Sequence, residues 1–524
     1  MPDETDTDLT LPSVVAALSA GYGAEEVVLS IVFHPDTSRI GDWVVVPQQH
    51  RERHPPGRPW VLGRSRPVFS TRRGTRAGPL DDPHISRHAL QVALAGRQLV
   101  MQRPAGASRC RVDGRELSAA VTLDEDRLRA GVPLLLGHAV VLLVRLTGQR
   151  PPATPGDGDL LLRGSSASMA RVRRYAAQAA ATDLDVLILG ETGTGKELVA
   201  ATIHAGSARA QGPLVTVNMA AIPPELAAAA LFGSARGAFT GATRAGIGYF
   251  EQAQGGTLFL DEIGDTPPDI QPLLLRALQQ REIQAVGGAV QRVDVRVISA
   301  TDADLQADGS DFKAALRHRL AVCEIQLPPL RERPEDIGEL LWHFLDEASR
   351  ELDREAVLPD LHSPALSIAA WAELFHRAVT YHWPGNVREL LNVSRQVLLA
   401  SDGRLVLPEH LAGVLGGAAQ PSQRIAAAPV RQMRDITAQE FGQALQCNRY
   451  AIAGTARQLR VSRQAVYRRI EASNTYLLAS QIAPDDLRRA LAQHGGDSVA
   501  AAGQLRVSVA GLRARLRGAD IEWH

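Results

Sequence analysis

Val186-Leu-Ile-Leu-Gly190-Glu-Thr-Gly-Thr-Gly-Lys196-Glu197 is the most informative run in the chain. Four consecutive apolar residues read as a strand buried on both faces, and the residues after Lys196 read as a helix. Gly190, Glu191, Thr192, Gly193, Thr194 and Gly195 therefore lie at a strand-to-helix turn. There the backbone N–H groups turn inward at a helix N-terminus and cradle phosphate. Lys196 places its ammonium against the β- and γ-phosphates of a nucleotide. The chain has only two lysines, Lys196 and Lys313, which singles both out as candidates for chemistry. Glu197 stands where many such loops carry a Ser or Thr hydroxyl for magnesium, so the metal needs another ligand.

Leu258-Phe-Leu-Asp261-Glu262 supplies that ligand: an apolar strand ending in two acids. Asp261 is expected near Mg2+, and Glu262 where it polarises an attacking water. A capping pair is the plain alternative. Residues 186–189, 214–217, 257–260 and 295–299 are near-continuous apolar runs, as in a parallel sheet covered on both faces, and 334–410 reads as helical. ATP and Mg2+ are the expected cofactors.

The flanks have different character. Residues 24–147 carry short apolar stretches (VVLSIVF, DWVVV, LQVAL, AVVLLVRL) broken by Gly, Pro and Arg, the pattern of a β-sandwich. A Pro- and Gly-rich segment, 148–160, reads as a linker into an α/β ATPase subdomain over 161–330 and a helical lid over 331–412. A second linker, 413–430, precedes a domain over 437–524 built from an internal repeat. Residues 440–470 recur as 486–516, displaced by 46 residues, and each copy fits a helix-turn-helix around Leu-Arg-Val-Ser.

Three segments together, GETGTGKE, GGTLFLDEI and Gly237-Ala238-Phe239-Thr240-Gly241-Ala242, resemble the central domain of sigma-54-dependent activators, the bacterial enhancer-binding proteins. The resemblance covers about 161–410. It implies that Gly237–Ala242 tip a loop touching sigma-54 through Phe239 and Thr240. Two glycines flanking an aromatic and a hydroxyl also favour presentation of Phe239, although a buried Phe in a tight turn is open too. The resemblance further implies a switch asparagine at Asn218 that engages Glu262. It places sensor I at Asp302 and sensor II at Arg388 in Trp383-Pro-Gly-Asn-Val-Arg388, where Arg388 could equally cap a helix. Lys313 and Arg319 take the positions of two fingers reaching a neighbouring subunit's site in a hexameric ring.

Several positions depart from the family pattern. Ala235 replaces the usual acid before the loop, Asp302 the usual Asn or His, and Lys313 the usual arginine. Lysine keeps the charge but loses the planar fork.

Gly63-Arg64-Ser65, Asp82-Pro-His-Ile-Ser86-Arg87 and Val112-Asp-Gly114 resemble a forkhead-associated domain, which implies phosphothreonine binding through Arg64, Ser86 and Arg87. Ala89 stands where that family's structural histidine is expected. A sandwich kept for intramolecular docking or oligomer contacts is the alternative. The C-terminal repeat resembles the Fis-like modules of the same activators. Ser462 would cap a helix projecting Arg463, Gln464, Tyr467 and Arg468 toward double-stranded DNA.

The overall formal charge is zero, but residues 441–524 hold 12 Arg against 6 Asp plus Glu, which suits a polyanionic partner. Cys110, Cys323 and Cys447 lack metal or disulfide spacing. With no apolar run long enough for a membrane span and no signal pattern, the expected setting is cytoplasmic. The reading is a sigma-54-dependent ATPase that remodels the RNA polymerase holoenzyme from upstream activating sites. Two rivals stay open: a nucleotide-sensing DNA-binding regulator without productive hydrolysis, and a phosphothreonine-dependent scaffold.

Overall fold

The computed structural model describes residues 25–47, 60–71, 78–148, 162–238, 245–303, 305, 311–416, 433, 436–459, 461, 463–471, 473, 476–477 and 481–518. The chain forms two compact units, 1–418 and 419–524.

The first unit begins with β1 (Glu26–Phe33), β2 (Trp43–Val45), β3 (Trp60–Leu62), β4 (Leu90–Ala95), β5 (Gln98–Gln102), β6 (Cys110–Val112), β7 (Arg115–Glu116), β8 (Ala120–Leu123), α1 (Glu125–Ala130), β9 (Val132–Leu136) and β10 (Val140–Thr147). They make two antiparallel sheets, β2-β1-β10-β9-β6-β7 and β3-β4-β5-β8, around a shared core. In β1, β9 and β10 the alternation expected of a half-solvated sheet gives way to burial of nearly every residue.

A five-stranded parallel sheet follows, in the order β12-β13-β16-β11-β17. Its elements are α2 (Ala167–Ala180), β11 (Val186–Leu189), α3 (Lys196–Ala205), β12 (Leu214–Asn218), α4 (Pro224–Phe232), α5 (Tyr249–Gln252), β13 (Thr257–Asp261), α6 (Gln271–Gln280), β14 (Glu282–Gln284), β15 (Val290–Arg292), β16 (Arg296–Thr301), α7 (Ala314–Leu320) and β17 (Cys323–Gln326). Helices on both faces explain the unbroken apolar strands, and the first of them is capped by Ser166, whose hydroxyl accepts from Met169 N at 3.1 Å. β11 and β13 carry the two motifs into the sheet and end them on the same edge.

Four helices complete the unit: α8 (Glu335–Glu351), α9 (Ala365–Thr380), α10 (Asn386–Ala400) and α11 (Glu409–Gly416). One hydrophobic core runs from the sandwich into these helices. Phe33 and Phe375 have ring centroids 4.9 Å apart. α8 presents Gly338 to β1, where a Cβ would come within 2.5 Å of the Val32 carbonyl oxygen. This covering layer is why β1, β9 and β10 are apolar on both faces.

The second unit holds α12 (Ala438–Cys447), α13 (Ile452–Leu459), α14 (Arg463–Glu471), α15 (Pro484–Gln493), α16 (Ser498–Leu505) and α17 (Val509–Gly518). Each three-helix copy has its own core, with Phe441, Leu445, Val466 and Ile470 in the first and Leu487, Leu491, Leu512 and Leu516 in the second. No helix among the described residues is long and apolar enough to cross a membrane.

Candidate functional site

The phosphate loop bends through Gly193 and Gly195 at φ 81° and 106°, angles that side chains resist. Thr194 pins the bend, its hydroxyl donating to the Glu191 carbonyl at 2.7 Å. Lys196 opens α3 and is buried; its Nζ donates to the Gly190 carbonyl at 2.9 Å and lies 3.8 Å from a Glu262 oxygen. Glu197 is exposed beside it.

Glu262 adopts a left-handed backbone, φ 50°, directly after β13, which turns its carboxylate toward the loop. Burial raises its pKa above the ordinary range; nearby Lys196 opposes that shift, while Asp302 and Asp261 add to it. The backbone N–H of Asp302 points to Glu262 Oε2 at 3.4 Å, and the Asp302 carboxylate accepts from Thr192 Oγ1 at 2.6 Å. Asp302 is thus held by the loop itself. Asp261 Oδ1 is buried without a hydrogen-bond partner among the described residues. An orphaned carboxylate oxygen beside a phosphate loop fits a hard cation, so Asp261 suits magnesium. A cavity of about 270 Å³ opens against Gly190, Glu191, Thr301, Asp302, Arg317 and Glu324.

The other candidates have side chains that are engaged elsewhere or exposed. Asn218 pairs with Asp261 across the sheet, but its side chain caps a short turn by accepting from Ala220 N at 2.9 Å. Lys313 is exposed at the start of α7. Arg319 is engaged within its own chain, donating to the Leu278 carbonyl at 2.8 Å and standing 3.1 Å from the buried carboxylate of Asp185. Arg388 is exposed on α10, with its backbone N–H on the Gly193 carbonyl at 3.3 Å.

Sequence reasoning missed the fastening between loop and lid. Asn386, fully buried at φ 52°, accepts from Leu330 N at 2.8 Å and donates to Glu191 Oε2 at 3.2 Å and to the Thr192 carbonyl at 3.1 Å. Arg331 grips Glu191, with Nη1 at 2.7 Å, and this pairing holds the Glu191 carboxyl below its usual pKa. Arg333 reaches the Thr194 carbonyl at 3.3 Å. The Arg-Glu-Arg run at 331–333 was the available signal.

Phe239, Thr240, Gly241 and Ala242 lie outside the described residues. The base of their loop does not: Ser234 and Gly246 exchange both backbone hydrogen bonds, at 3.0 and 2.9 Å. Ala235 N donates to the Val286 carbonyl at 2.9 Å, tying the base to the β14–β15 hairpin by backbone alone. Gly237 sits at φ 79° and Ala238 N reaches the Ala235 carbonyl.

In the sandwich, Arg64 N donates to the Ser86 carbonyl at 3.0 Å, and Gly63 approaches the Arg87 carbonyl too closely for any Cβ. Arg64, Ser86 and Arg87 are therefore brought together. Ser86 Oγ accepts from Ser108 N at 2.8 Å, which leaves its own O–H to donate. In the second unit Ser462 lies outside the described residues; Arg463 and Gln464 open α14, while Tyr467 and Arg468 are exposed on it.

Residues 162–326 match the sigma-54 interaction domain family, and 331–428 match the AAA+ ATPase lid domain. The DNA-binding transcriptional regulator NtrC of Proteus hauseri is 40% identical over 324 residues, 60% of this chain and 64% of that protein. The Nif-specific regulatory protein of Rhodobacter capsulatus is 40% identical over 345 residues, 64% and 57% of the two chains. A crystal structure of NtrX from Brucella abortus with ADP is similar at 32% identity and a TM-score of 0.42, covering 59% of this chain and 69% of that one. The chain spans less than two thirds of the length of these curated relatives. Its centre is an AAA+ P-loop ATPase domain of the sigma-54 interaction type with a helical lid, homologous to the corresponding part of NtrC and Nif-specific regulators.

Proposed function

We propose that this chain, whose centre is a sigma-54 interaction domain with its AAA+ lid, hydrolyses ATP to remodel the sigma-54 RNA polymerase closed complex. The observation that carries the reading is the meeting of Lys196, Glu262 and Asp302 at the edge where β11, β13 and β16 end. Lys196 leaves the Gly190 carbonyl for the β- and γ-phosphates. Glu262, made more basic by burial, orients and polarises the attacking water. Asp261 is the residue that would hold magnesium, which supplies neutralisation of phosphate charge when bound. Ring assembly, as a hexamer, brings Lys313 and Arg319 of one subunit to its neighbour's site.

The loop rooted at Ser234–Gly246 would then carry Phe239 and Thr240 to sigma-54, its base tied to the body through Ala235 N. Upstream double-stranded DNA is the ligand of the first C-terminal copy through Arg463, Gln464, Tyr467 and Arg468. Regulation comes through a phosphothreonine protein at Arg64, Ser86 and Arg87. These partners place the chain in the cytoplasm.

A specific observation supports the nucleotide-sensing alternative: Arg319 is already occupied by Asp185 and the Leu278 carbonyl. ATP hydrolysis measured over a protein concentration series separates the two. Cooperative turnover lost in Glu262→Gln, together with sigma-54 capture lost in Phe239→Ala on a transition-state nucleotide analogue, supports the activator. Nucleotide binding without turnover, at concentrations where a ring forms, leaves the sensing regulator.

A further inference from the structure

We propose that Arg145 of the N-terminal sandwich is a positioning residue for the phosphate loop, acting through Arg333; this rests on reading that loop as a nucleotide site. Arg145 projects from β10, and the two Nη donors of its guanidinium hold one short segment. Nη2 donates to the Glu332 carbonyl at 2.7 Å, Nη1 pairs with the Glu335 carboxylate, and Nε donates to the Arg129 carbonyl at 3.1 Å. The first two contacts bracket Arg333 and Pro334 in sequence. A planar fork holds a carbonyl and a carboxylate at once in a fixed geometry, which the compact, freely rotating ammonium of a lysine does not impose.

Arg333, between those anchor points, is 2% exposed and turns the other way, donating to the Thr194 carbonyl at 3.3 Å. Thr194 lies two residues before Lys196 in the bend of the phosphate loop. Arg333 is not fixed by strong bonds of its own. Its Nε has no partner among the described residues, and its nearest carboxylate, on Asp336, is 3.8 Å away. That carboxylate is committed to Ser166, accepting from its backbone N and hydroxyl at 2.7 Å each. Arg333 is therefore placed by its backbone, and Arg145 fixes that backbone from the sandwich side.

The interface supplies its own control. Arg111 pairs with Glu373 on α9, a second sandwich-to-lid ion pair far from residues 330–336 in sequence. If docking in general tuned the loop, both pairs would matter equally. If the route runs through Glu332 and Arg333, only Arg145 does.

The test uses the full chain and fluorescent methylanthraniloyl-ADP as probe, with thermal midpoints as the folding check. Arg145→Ala is expected to weaken binding about tenfold or more, and to raise KM for ATP while kcat changes little. Arg111→Ala is expected to stay within about twofold. Arg145→Lys, which keeps the charge toward Glu335, is expected to recover part of the loss and serves as the working variant if the alanine form does not fold. Binding equal to the parent chain in folded Arg145→Ala and Arg145→Lys overturns the proposal, as does an equal loss in Arg111→Ala. A parent chain that does not bind the probe overturns the nucleotide-site reading itself, and the proposal with it.

Discussion

Replacement of Asn386 separates hydrogen bonding from backbone strain in the lid-to-loop fastening. Asn386→Ala strands the Leu330 N–H, and Leu330 is fully buried, so water cannot substitute; an orphaned buried donor costs about 1–3 kcal/mol. The lost donations to Glu191 and Thr192 cost less, about 0.5–1 kcal/mol each, because both acceptors reach solvent. Alanine must also hold φ near 52°, a conformation Asn tolerates and Ala resists by about 1–2 kcal/mol. The sum is about 3–7 kcal/mol. Asn386→Gly loses the same three bonds without the strain, so it should be more stable than the alanine form by about 1 kcal/mol, the reverse of their order within an ordinary helix. Urea unfolding of the three full-length chains, with methylanthraniloyl-ADP binding alongside, reads both quantities. An alanine variant that loses under about 1 kcal/mol, or a glycine variant less stable than it, would refute the reasoning.

Phe375→Ala should cost about 3–5 kcal/mol and leave sandwich and lid unfolding in one transition, since Phe375 packs on Phe33 in their common core; a separate sandwich transition by near-UV circular dichroism would contradict this. With Glu262 as the proposed base, hydrolysis should fall on acidification at a pH above the ordinary glutamate range, because burial holds its pKa up. Asp302 adds to that upward shift, so Asp302→Asn should move the acid limb of the pH–rate profile to lower pH. The same substitution removes a negative charge beside the loop, so it should improve affinity for metal-free ATP more than for its magnesium complex. Titrations with and without magnesium should then differ by about tenfold less than in the parent chain.

The α/β core was readable because its signals are local. Apolar runs mark β11, β12, β13 and β16, and the phosphate loop and the Asp261-Glu262 pair are contiguous residues whose chemistry depends on the strand just before them. The C-terminal repeat was equally open: its 46-residue displacement reappears as helices beginning at Ala438 and Pro484 and at Arg463 and Val509. In the sandwich, a half-solvated sheet is expected to alternate along 26–33 and 140–144, yet apart from Glu26 and Ser30 these stretches are apolar, and all but Glu26 is buried. That excess of apolar character was the trace of the lid helices lying on their second face, but a strand's own sequence cannot say which distant element covers it.

The fastening of the phosphate loop was invisible for a related reason. Arg331 meets Glu191 across 140 residues and Asn386 meets it across 195, and neither spacing follows from a rule of helix or strand geometry. Arg319 illustrates the converse, a position matched by motif whose surroundings the motif does not specify. Its partner Asp185 is fully buried just before β11, and the 3.1 Å contact to Oδ2 is an ion pair without hydrogen-bond alignment. Asp185 also has Arg281 at 3.4 Å and accepts from Val297 N at 3.1 Å through its other oxygen. Withdrawal of Arg319 would therefore weaken the compensation of a buried acid without abandoning it, far less costly than leaving a lone buried carboxylate. Reach into a neighbouring site thus competes with a modest internal tie, and a subunit contact that offers Arg319 a phosphate can outweigh it.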